Sequence, residues 1–445
     1  RLGAAHGGFA GAMQQALQLA ADGGRLRNGS AAWSFRVIAR TAVPLLRVYD
    51  DHPEGQRLYA ESLAAGGHHV EVLALRAPGK AKRELLRGVH VHRLPLSRHR
   101  GGTLRYLFEY VWFTLLCAFQ LALRPLRHDV VHVHNMPDFL VFAALLPRLC
   151  GRTVLLDVHD LMPEVYCSKF KTSVRHPGIW PIRVQEWLSH RFASACVFAT
   201  ERFRQGALER RTVRADRSIA VMNAADTTLF DRAAHPWRGP EPGVFRMLYL
   251  GTVSDRHGVD QCVRVLPLAM ARIPGLELVI HCKLSEGEGQ PLQELRELAE
   301  RLGVLDRVDF RAPLALHEVP EAMSRASVGV FTPHLDVHID MALSLKVPEF
   351  VAMDVPVVAV RTSIMSSLFG EDEIALFADG DLDAFADWLV RLYESPELGR
   401  QMAERARRFT REHAWEREFA GYLALLERTT GRQLAAPASP ATRSS

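Results

Sequence analysis

The feature that most constrains the fold is an alternation of short apolar runs with amphipathic helical segments. Residues 45–49, 69–75 and 129–135 are examples of the runs, and each has the length of a buried strand. Helical patterns separate the runs, for example over residues 53–66 and 104–124. Further runs lie at residues 88–95, 153–159 and 195–200. This alternation predicts an α/β fold with a parallel sheet covered by helices on both faces.

The same alternation begins again in the second half of the chain. The polar stretch "RAAHPWRGPEPG" over residues 232–243 has the composition of a linker. Apolar runs follow it at residues 246–251, 276–282, 307–312, 328–331, 355–360 and 374–378. Two doubly wound domains explain the repetition, and a length of 445 residues suits two cores. Because such sheets bind ligands beyond the carboxyl ends of their strands, we predict a binding cleft between the domains.

These patterns also predict the domain boundaries. We expect a poorly determined leader over residues 1–43, an N-terminal Rossmann-like domain over 44–235 and a C-terminal one over 244–410. A helix over 411–430 follows. The tail over 431–445, "GRQLAAPASPATRSS", has the composition of a disordered segment.

The composition excludes several classes of protein. Six scattered cysteines without a CxxC pair argue against a disulfide framework and favour free thiols in a reducing compartment. A formal net charge of +5 is mild, and we expect no nucleic-acid partner. Residues 1–40 lack a charged segment followed by an apolar core, which predicts a cytoplasmic protein without a signal peptide.

Two neighbouring segments each allow two interpretations. Nine basic residues between Arg76 and Arg105 are opposed only by Glu84, so this run is either a solvated face or a patch for anionic lipid or a phosphate-bearing acceptor. The apolar stretch 106–123 is interrupted by two polar residues and is too short to span about 30 Å of hydrocarbon. It is either a helix packed on a sheet or a helix inserted shallowly into a membrane surface.

The first segment that suggests chemistry is "LYLGTVSDRHGVDQCVRVL" over residues 248–266. A strand ends at Gly251 and Gly258 precedes a helix, but the GxGxxG pattern of a dinucleotide site is absent. The loop places N–H groups and Arg256 at a helix start, where a diphosphate would be stabilised. Arg256 would also neutralise a leaving nucleoside diphosphate. The alternative is an ordinary glycine turn with a surface arginine.

The second segment is "SLKVPEFVAMDVPVVAV" over residues 344–360. Pro348 suits the first helical position, which puts Glu349 in the first turn and Lys346 just before it. We expect the helix to close at Asp354 in the left-handed conformation. A carboxylate here can accept hydrogen bonds from two ribose hydroxyls while the lysine faces phosphates. The alternative is a helix-dipole partner beside a surface charge.

The third segment is "LLDVHDLMPE" over residues 155–164, where His159 and Asp160 follow a predicted strand. Ligands of α/β folds lie at this position, and a histidine there can bind a sugar hydroxyl or shuttle a proton. The pair His132 and His134 shares a strand face, as Asp157 and His159 do, but no further ligands at zinc spacing accompany either pair. We therefore predict no metal site. The "ADGD" motif before a later helix is better explained as an N-cap.

Together these motifs resemble glycosyltransferase family 4, a large family of retaining GT-B enzymes, from about Leu45 to Tyr422. In the first half the resemblance is carried by "HDVVHVHN", "DVHDLMPE" and "VMNAADTTLF". In the second half it is carried by "YLGTVSDRHGVD", "SLKVPEFVAMDVPVV" and "RARRFTREHAWEREFAGYLALLE". The last of these resembles the terminal helix that crosses back to the first domain in this fold. The resemblance implies two Rossmann-like domains with an interdomain cleft.

The resemblance also implies a reaction and a set of site residues. The donor would be a UDP- or GDP-type sugar, transferred by front-face attack without a metal or cofactor. The implied donor-binding residues are Gly251, Thr252, Arg256, Lys346 and Glu349. The implied acceptor-binding residues are Asp50, His52, Asn135, His159 and Asp160. Those implied in catalysis are His159, Arg256 and Lys346.

The chain departs from the family pattern at several positions. The first glutamate of the common Glu-x7-Glu pair is absent, because Met341 occupies its place and Asp340 lies one position away. Thr252 and His257 stand where the glycine loop often has arginine and lysine, and Asp354 replaces a glycine. The segment "YDDHPEG" replaces the glycine-rich first turn of the N-terminal domain.

We predict a retaining hexosyltransferase that acts on a sugar or lipid-linked acceptor in the synthesis of a cell-surface polysaccharide or glycolipid. The basic run and the apolar helix indicate a peripheral location at an anionic inner membrane face. Two alternatives are a GT-B sugar-nucleotide epimerase and a non-catalytic GT-B partner protein.

Overall fold

The computed structural model describes residues 38–42, 54–76, 79–96, 103–222, 225–283 and 289–434. The chain divides into two compact units. Unit 1 contains residues 1–222 and 418–445, and unit 2 contains residues 223–417. The division therefore precedes the stretch expected to be a linker, residues 232–243. That stretch packs on unit 2, where the Trp237 indole N–H donates to the Ala326 carbonyl over 2.7 Å.

The sheet of unit 1 has eight strands in the order β3-β4-β2-β1-β5-β6-β7-β8. Its strands are β1 (Ile38–Ala42), β2 (His69–Leu75), β3 (Arg83–Leu86), β4 (Val89–Leu94), β5 (Val130–His134), β6 (Thr153–Val158), β7 (Ala195–Phe198) and β8 (Ser218–Ala220). Its helices are α1 (Glu54–Ala65), α2 (Thr103–Ala122), α3 (Leu145–Leu149), α4 (Met162–Phe170), α5 (Trp180–Phe192) and α6 (Glu201–Glu209). A 3-10 helix, Asp138–Ala144, follows β5.

Two features of this sheet correct the sequence predictions. The strand β1 lies between β2 and β5, inside the segment expected to be a poorly determined leader. Its sequence, "IARTA", is short and half polar, so it gives a weaker strand signal than the run at 45–49, which lies outside the described residues. The other correction is β3, which pairs antiparallel with β4 in an otherwise parallel sheet. A two-residue turn with positive φ at Arg87 and Gly88 joins the two strands.

The sheet of unit 2 is parallel and has the order β11-β10-β9-β12-β13-β14. Its strands are β9 (Phe245–Thr252), β10 (Leu276–Lys283), β11 (Val308–Arg311), β12 (Val328–Phe331), β13 (Val357–Val360) and β14 (Ala375–Phe377). Its helices are α7 (Val259–Arg264), α8 (Leu266–Met270), α9 (Gly289–Arg301), α10 (Val319–Ser324), α11 (Lys346–Ala352), α12 (Ser363–Leu368), α13 (Leu382–Glu394) and α14 (Pro396–Glu412). The strand order reverses between β9 and β12, which is where such sheets bind ligands.

The last helix, α15 (Trp415–Thr430), belongs to unit 1 from Glu418 onward. The Tyr422 side chain of this helix is buried and donates to or accepts from His132 Nδ1 over 3.0 Å. Residues 431–434 of the expected tail are described, and the rest of the tail lies outside the described residues.

Several local predictions have clear outcomes. Gly258 directly precedes α7, and the Asp381 side chain caps α13 by accepting from Ala384 N, as expected. Asp354 has a φ of +57° after the end of α11, which confirms the left-handed position. Arg407 holds it there with two 2.7 Å hydrogen bonds. The expected place of Pro348 was wrong, because α11 begins at Lys346; the proline is third in the first turn, where its missing N–H still costs no hydrogen bond.

All six cysteines are free thiols, and five of them are buried. Among the described residues no helix has the length and apolar character needed to cross a bilayer.

Candidate functional site

The end of β9 and the start of α11 come together at the point where the unit 2 strand order reverses. Gly251 has a φ of +139°, and a Cβ placed on it would lie 2.5 Å from Cε of Lys346. The Lys346 side chain therefore crosses directly over the backbone of the strand end, where the positive φ favours glycine. Thr252 follows as the last residue of β9. The structure thus brings together three of the residues expected to bind the donor.

Lys346 and Glu349 both lie partly buried on the first turn of α11. Burial raises the pKa of Glu349 to about 7, and the Lys346 charge opposes that rise only in part. Burial likewise lowers the pKa of Lys346, against the attraction of Glu349. Neither side chain makes a hydrogen bond to any described residue. A cation and a carboxylate in this state are positioned to receive partners from a ligand.

The loop that carries Arg256 is fixed through its backbone. Gly258 has a φ of +58°, and a Cβ on it would lie only 1.9 Å from the Thr332 carbonyl oxygen. The Thr332 hydroxyl donates to the Gly258 carbonyl over 3.0 Å, and His334 N donates to the Arg256 carbonyl over 3.2 Å. The side chain of Arg256 is exposed on a 3-10 turn and makes no hydrogen bond to a described residue. A rigid loop therefore presents a free guanidinium.

The sequence analysis did not identify the side chains that hold this loop in place. The Gln261 amide donates to the Thr332 carbonyl over 3.0 Å and to Asp379 over 2.9 Å. His334 bridges two carboxylates, with Asp379 at 3.0 Å and Asp260 at 2.9 Å from its ring nitrogens. Burial alone would lower the pKa of His334, but the two carboxylates raise it above its ordinary value. These partners come from three separate segments, so no spacing in the sequence indicates them.

Asp340 does not substitute for the missing first glutamate. Its carboxylate accepts from Ser363 N over 2.7 Å and from the Ser363 hydroxyl, so it fixes the start of α12. Its carbonyl also accepts from Ile364 N over 3.1 Å. Asp340 therefore has a structural role. Lys346 and Glu349, which are also partly buried, make no side-chain hydrogen bond to a described residue.

In unit 1, Asn135 ties together the ends of β5 and β6. Its side-chain amide donates to Asp138 over 2.9 Å and to the Asp160 carbonyl over 2.6 Å. Its side-chain oxygen accepts from His159 N over 2.8 Å. The structure therefore brings together Asn135, His159 and Asp160, three of the residues expected to bind the acceptor. The other two, Asp50 and His52, lie outside the described residues.

Beneath these residues lies a cluster that the sequence analysis did not assign to the site. The β5–β6 register places His134 opposite Asp157, and Asp157 Oδ2 lies 2.8 Å from His134 Nδ1 and 3.0 Å from His159 Nε2. Both histidines share this one carboxylate. Burial would raise the pKa of Asp157, but the two imidazoles hold it well below its ordinary value. Burial lowers the pKa of His159, but Asp157 and Asp160 together raise it more, so the net shift is upward.

The cluster continues to the C-terminal helix through His132. Its Nδ1 lies 3.0 Å from the Tyr422 hydroxyl, and its Nε2 faces Asp157 Oδ2 at 3.7 Å. Burial and the neighbouring His134 lower the pKa of His132 to about 3, so this ring is neutral at physiological pH. A chain of polar contacts therefore runs from α15 to His159 inside unit 1.

His132, His134 and Asp157 offer ligand atoms within 4.8 Å of one another, so their proximity alone would admit a metal ion. The sequence does not show these three residues to be a group, because they lie on adjacent parallel strands and not at ligand spacing. However, the rings of His132 and His134 stack with centroids 4.4 Å apart and planes 27° apart. The lone pairs of stacked rings lie in nearly parallel planes and do not converge on one ion. The cluster therefore fits a network of polar contacts better than a metal centre, and the absence of a metal stays a prediction.

Comparisons with known proteins indicate the family. A family model described as "Glycosyl transferase 4-like domain" matches residues 55–224, and one described as "Glycosyl transferase-like" matches residues 263–424. A D-inositol 3-phosphate glycosyltransferase of Pseudarthrobacter chlorophenolicus is 28% identical over 228 residues, which cover 49% of this chain and 51% of that protein. A second protein with that name, from Acidothermus cellulolyticus, is 28% identical over 41% of this chain and 42% of its own length. The matches thus span about half the length of these curated relatives or less.

Solved structures of other proteins share the fold over most of the chain. Sucrose-phosphate synthase of Thermosynechococcus elongatus has a TM-score of 0.69 and 18% identity, and the match covers 89% of this chain and all of that one. Anabaena HepE in complex with UDP-glucose has a TM-score of 0.63 and 16% identity, covering 89% of this chain and 99% of that one. At such identities the likeness shows the fold, which is GT-B.

Proposed function

Because this chain belongs to glycosyltransferase family 4 and has the GT-B fold, we propose that it transfers a hexose from a nucleoside diphosphate sugar with retention of configuration. One observation supports the donor side most strongly. Lys346 and Glu349 are partly buried, lie at the strand-order reversal and make no hydrogen bond to a described residue, while Gly251 leaves room beside them. A diphosphate and a ribose supply the partners that this pair lacks.

The roles follow from charge. Glu349, when ionised, accepts hydrogen bonds from the two ribose hydroxyls of the donor. Lys346 and Arg256 bind the diphosphate and stabilise the negative charge that grows on it as the bond from the anomeric carbon to the β-phosphate oxygen breaks. The acceptor oxygen forms its bond to the same face of that carbon, and its proton passes to a phosphate oxygen of the leaving group. No protein nucleophile is needed in this scheme, and no metal.

For the acceptor side we propose a sugar or lipid-linked acceptor, near Asn135, His159 and Asp160, in the synthesis of a cell-surface polysaccharide or glycolipid. His159 would hold a sugar hydroxyl, and Asp157 would keep its ring in place. The basic run before α2 suits an acceptor that carries phosphate, and it favours a peripheral location at the inner membrane face.

Thermal-shift measurements with UDP, GDP and their sugars test the donor site. A ligand present at a hundred times its Kd should stabilise the protein by about 2.7 kcal/mol. Glu349→Ala and Arg256→Ala should each lower donor affinity or turnover about ten- to a hundredfold, since each removes one charged contact. Matched controls are Glu300→Ala, on the exposed side of α9, and Arg272→Ala, whose exposed ion pair with Glu394 contributes little.

The same panel separates the alternatives. Donor affinity and turnover that are unchanged in both site variants would contradict the site. An epimerised sugar nucleotide formed without acceptor would favour an epimerase. Donor binding without transfer or hydrolysis, unaffected by the variants, would favour a non-catalytic partner protein.

A further inference from the structure

The helix α2 is apolar on both of its faces. Its inner face is buried in unit 1 through Tyr110, Phe113, Cys117 and Leu121. Its outer face, half a turn away, exposes Phe108, Val111, Trp112, Leu115 and Phe119. Counted from Phe108, these five residues lie at positions i, i+3, i+4, i+7 and i+11, so they form one continuous stripe. Phe108 and Leu115 are 64% and 55% exposed, which means that nothing within the described chain covers the stripe.

The apolar stripe extends beyond α2. Leu123 and Leu126 continue it at the C-terminal end, and the neighbouring helix α3 exposes Leu145 and Leu149, the latter by 72%. A helix of similar length in unit 2 has a different surface, because α14 exposes Gln401, Glu404 and Arg405. A polar outer face is usual for a surface helix of a water-soluble domain. The stripe is therefore a local property of α2 and α3, and contiguous apolar surface of this kind marks a binding site.

Aromatic and basic side chains indicate what binds to the apolar stripe. The rings of Phe108 and Trp112 stack with centroids 6.3 Å apart, and α5 exposes Trp180 and Trp187 on its outer side. Both α2 and α5 contact the 3-10 helix that follows β5. Tryptophan is enriched at the boundary between lipid and water, where one end of the ring is apolar and the other wet.

Exposed arginines accompany these aromatic residues. Arg124 follows the end of α2, Arg183 lies on α5, and Arg191 sits 5.4 Å above the ring of Trp187. Glu109 is the one acidic residue of α2, and it does not lie on the apolar stripe. An apolar stripe with tryptophans and a basic border complements a bilayer with anionic headgroups.

We propose that this surface, formed by the outer sides of α2, α3 and α5 and called the docking face, binds an anionic membrane with α2 lying in the plane of the interface. Phe108, Trp112, Leu115 and Phe119 enter the boundary between headgroups and acyl chains. Arg124, Arg183 and Arg191 contact the phosphates.

The direction of the helices links the docking face to the acceptor site. A helix that crosses between parallel strands runs antiparallel to them and so begins at their carboxyl edge. Phe108 and Trp112, near the start of α2, therefore lie toward the edge that carries Asn135 and His159. Docking would bring this edge to the headgroups, where a lipid-linked sugar presents its acceptor hydroxyl. This consequence rests on the proposed function, whereas docking itself does not.

The test is flotation of the purified full chain with vesicles of phosphatidylcholine alone or with about 30% phosphatidylglycerol. The wild type should bind the anionic vesicles and release with rising salt. The triple variant Phe108→Ser, Leu115→Ser, Phe119→Ser should lower the partition coefficient roughly a hundredfold, because it removes most of the inserted apolar area. The control variant Leu268→Ser, Leu302→Ser, Leu305→Ser changes three exposed leucines of unit 2 and should stay within about twofold.

A second variant, Arg124→Gln with Arg191→Gln, should weaken binding to anionic vesicles several-fold. Circular dichroism and UDP-induced thermal shifts, read on the same proteins, show that the variants fold and keep the donor site. The proposal would be overturned if the wild type did not bind anionic vesicles, or if the triple variant bound them as strongly as the wild type. A dimer that dissociates in the triple variant while the wild type fails to float would assign the docking face to a second copy of the chain and would also overturn it. Failure of the donor panel with normal flotation would count against the proposed function alone.

Discussion

The two candidate sites are built in opposite ways. In unit 2, the side chains of Arg256, Lys346 and Glu349 make no hydrogen bonds to described residues, although two of them are partly buried. In unit 1, Asn135 makes three hydrogen bonds to its neighbours, and one carboxylate oxygen of Asp157 lies within 3.0 Å of two histidines. A buried polar group without a partner costs about 1–3 kcal/mol. Unit 2 tolerates that cost where a charged ligand can remove it. In unit 1 the polar groups contact one another instead, and they fix the ends of β5 and β6.

This difference predicts how each site should fail. Loss of a side chain in the unit 2 site should cost ligand affinity and leave the fold intact, because the side chain makes no hydrogen bond to the described chain. Loss of a side chain in the unit 1 network should cost stability first, because its partners stay buried without it. The following three changes test that distinction, from the largest expected effect to the smallest.

The change Asp157→Asn should lower the free energy of unfolding by about 3–5 kcal/mol, as expected when one partner of a buried charged cluster is removed. Two histidines share this carboxylate, and both would lose the negative charge that they face. The matched control is Asp129→Asn, since Asp129 makes partly exposed ion pairs with Arg152 and Arg432 and should cost less than about 1 kcal/mol. Urea unfolding followed by tryptophan fluorescence measures both. Equal losses in the two variants would remove the contrast between the sites.

The change Gly258→Ala should cost about 2–4 kcal/mol of stability, because the added Cβ meets a backbone oxygen at 1.9 Å and the residue has positive φ. Gly380→Ala is the control: its φ of +82° is also positive, but a Cβ there meets nothing within 4 Å, so only about 1 kcal/mol should be lost. Gly258 ends the 3-10 turn that contains Arg256, so the alanine variant should lose donor binding as well. A variant that unfolds like the control would show that the loop can shift away from Thr332.

The fold was largely predictable, because strand-forming runs such as those at β2, β10 and β12 are short, apolar and separated by helical patterns. The errors fall where the local signal is weak. The strand β1 contains arginine and threonine, and its place in the sheet is decided by its two neighbours and not by its own composition. Periodicity also cannot tell on which unit a proline-rich stretch will pack, and residues 232–243 belong to unit 2.

The candidate sites also contain some contacts that the sequence predicts and others that it does not. Lys346 and Glu349 are three positions apart on one helix turn, so the sequence alone places them together. The contact of Lys346 with Gly251, and that of His132 with Tyr422, join residues far apart in the chain. Only the strand order and the position of the last helix bring such pairs into contact, and neither is encoded in local spacing.

The change Glu349→Gln should have the smallest effect, and that effect should depend on pH. The pKa of Glu349 rises from 4.5 to about 7 in the folded protein. Below about pH 4.5 the carboxyl is neutral in both folded and unfolded chains, and its burial costs little. Above pH 7 it is ionised in both, and the folded chain bears the whole cost of the partly buried charge. The wild type should therefore lose stability between these two values, and the glutamine variant, which has no charge to bury, should not.

Relative to the wild type, the glutamine variant should gain about 1–2 kcal/mol between pH 5 and pH 8, after allowance for partial exposure. Melting curves across this range measure the gain, and Glu300→Gln, at an exposed position of α9, should show none. Adding a saturating sugar nucleotide at pH 8 should reverse the order of the two proteins, because its ribose hydroxyls would stabilise the ionised carboxylate. Parallel pH profiles for wild type and variant would mean that Glu349 is as well solvated as a surface residue. The contrast between a unit 2 site without hydrogen bonds to the described chain and a unit 1 network of protein contacts would then no longer hold.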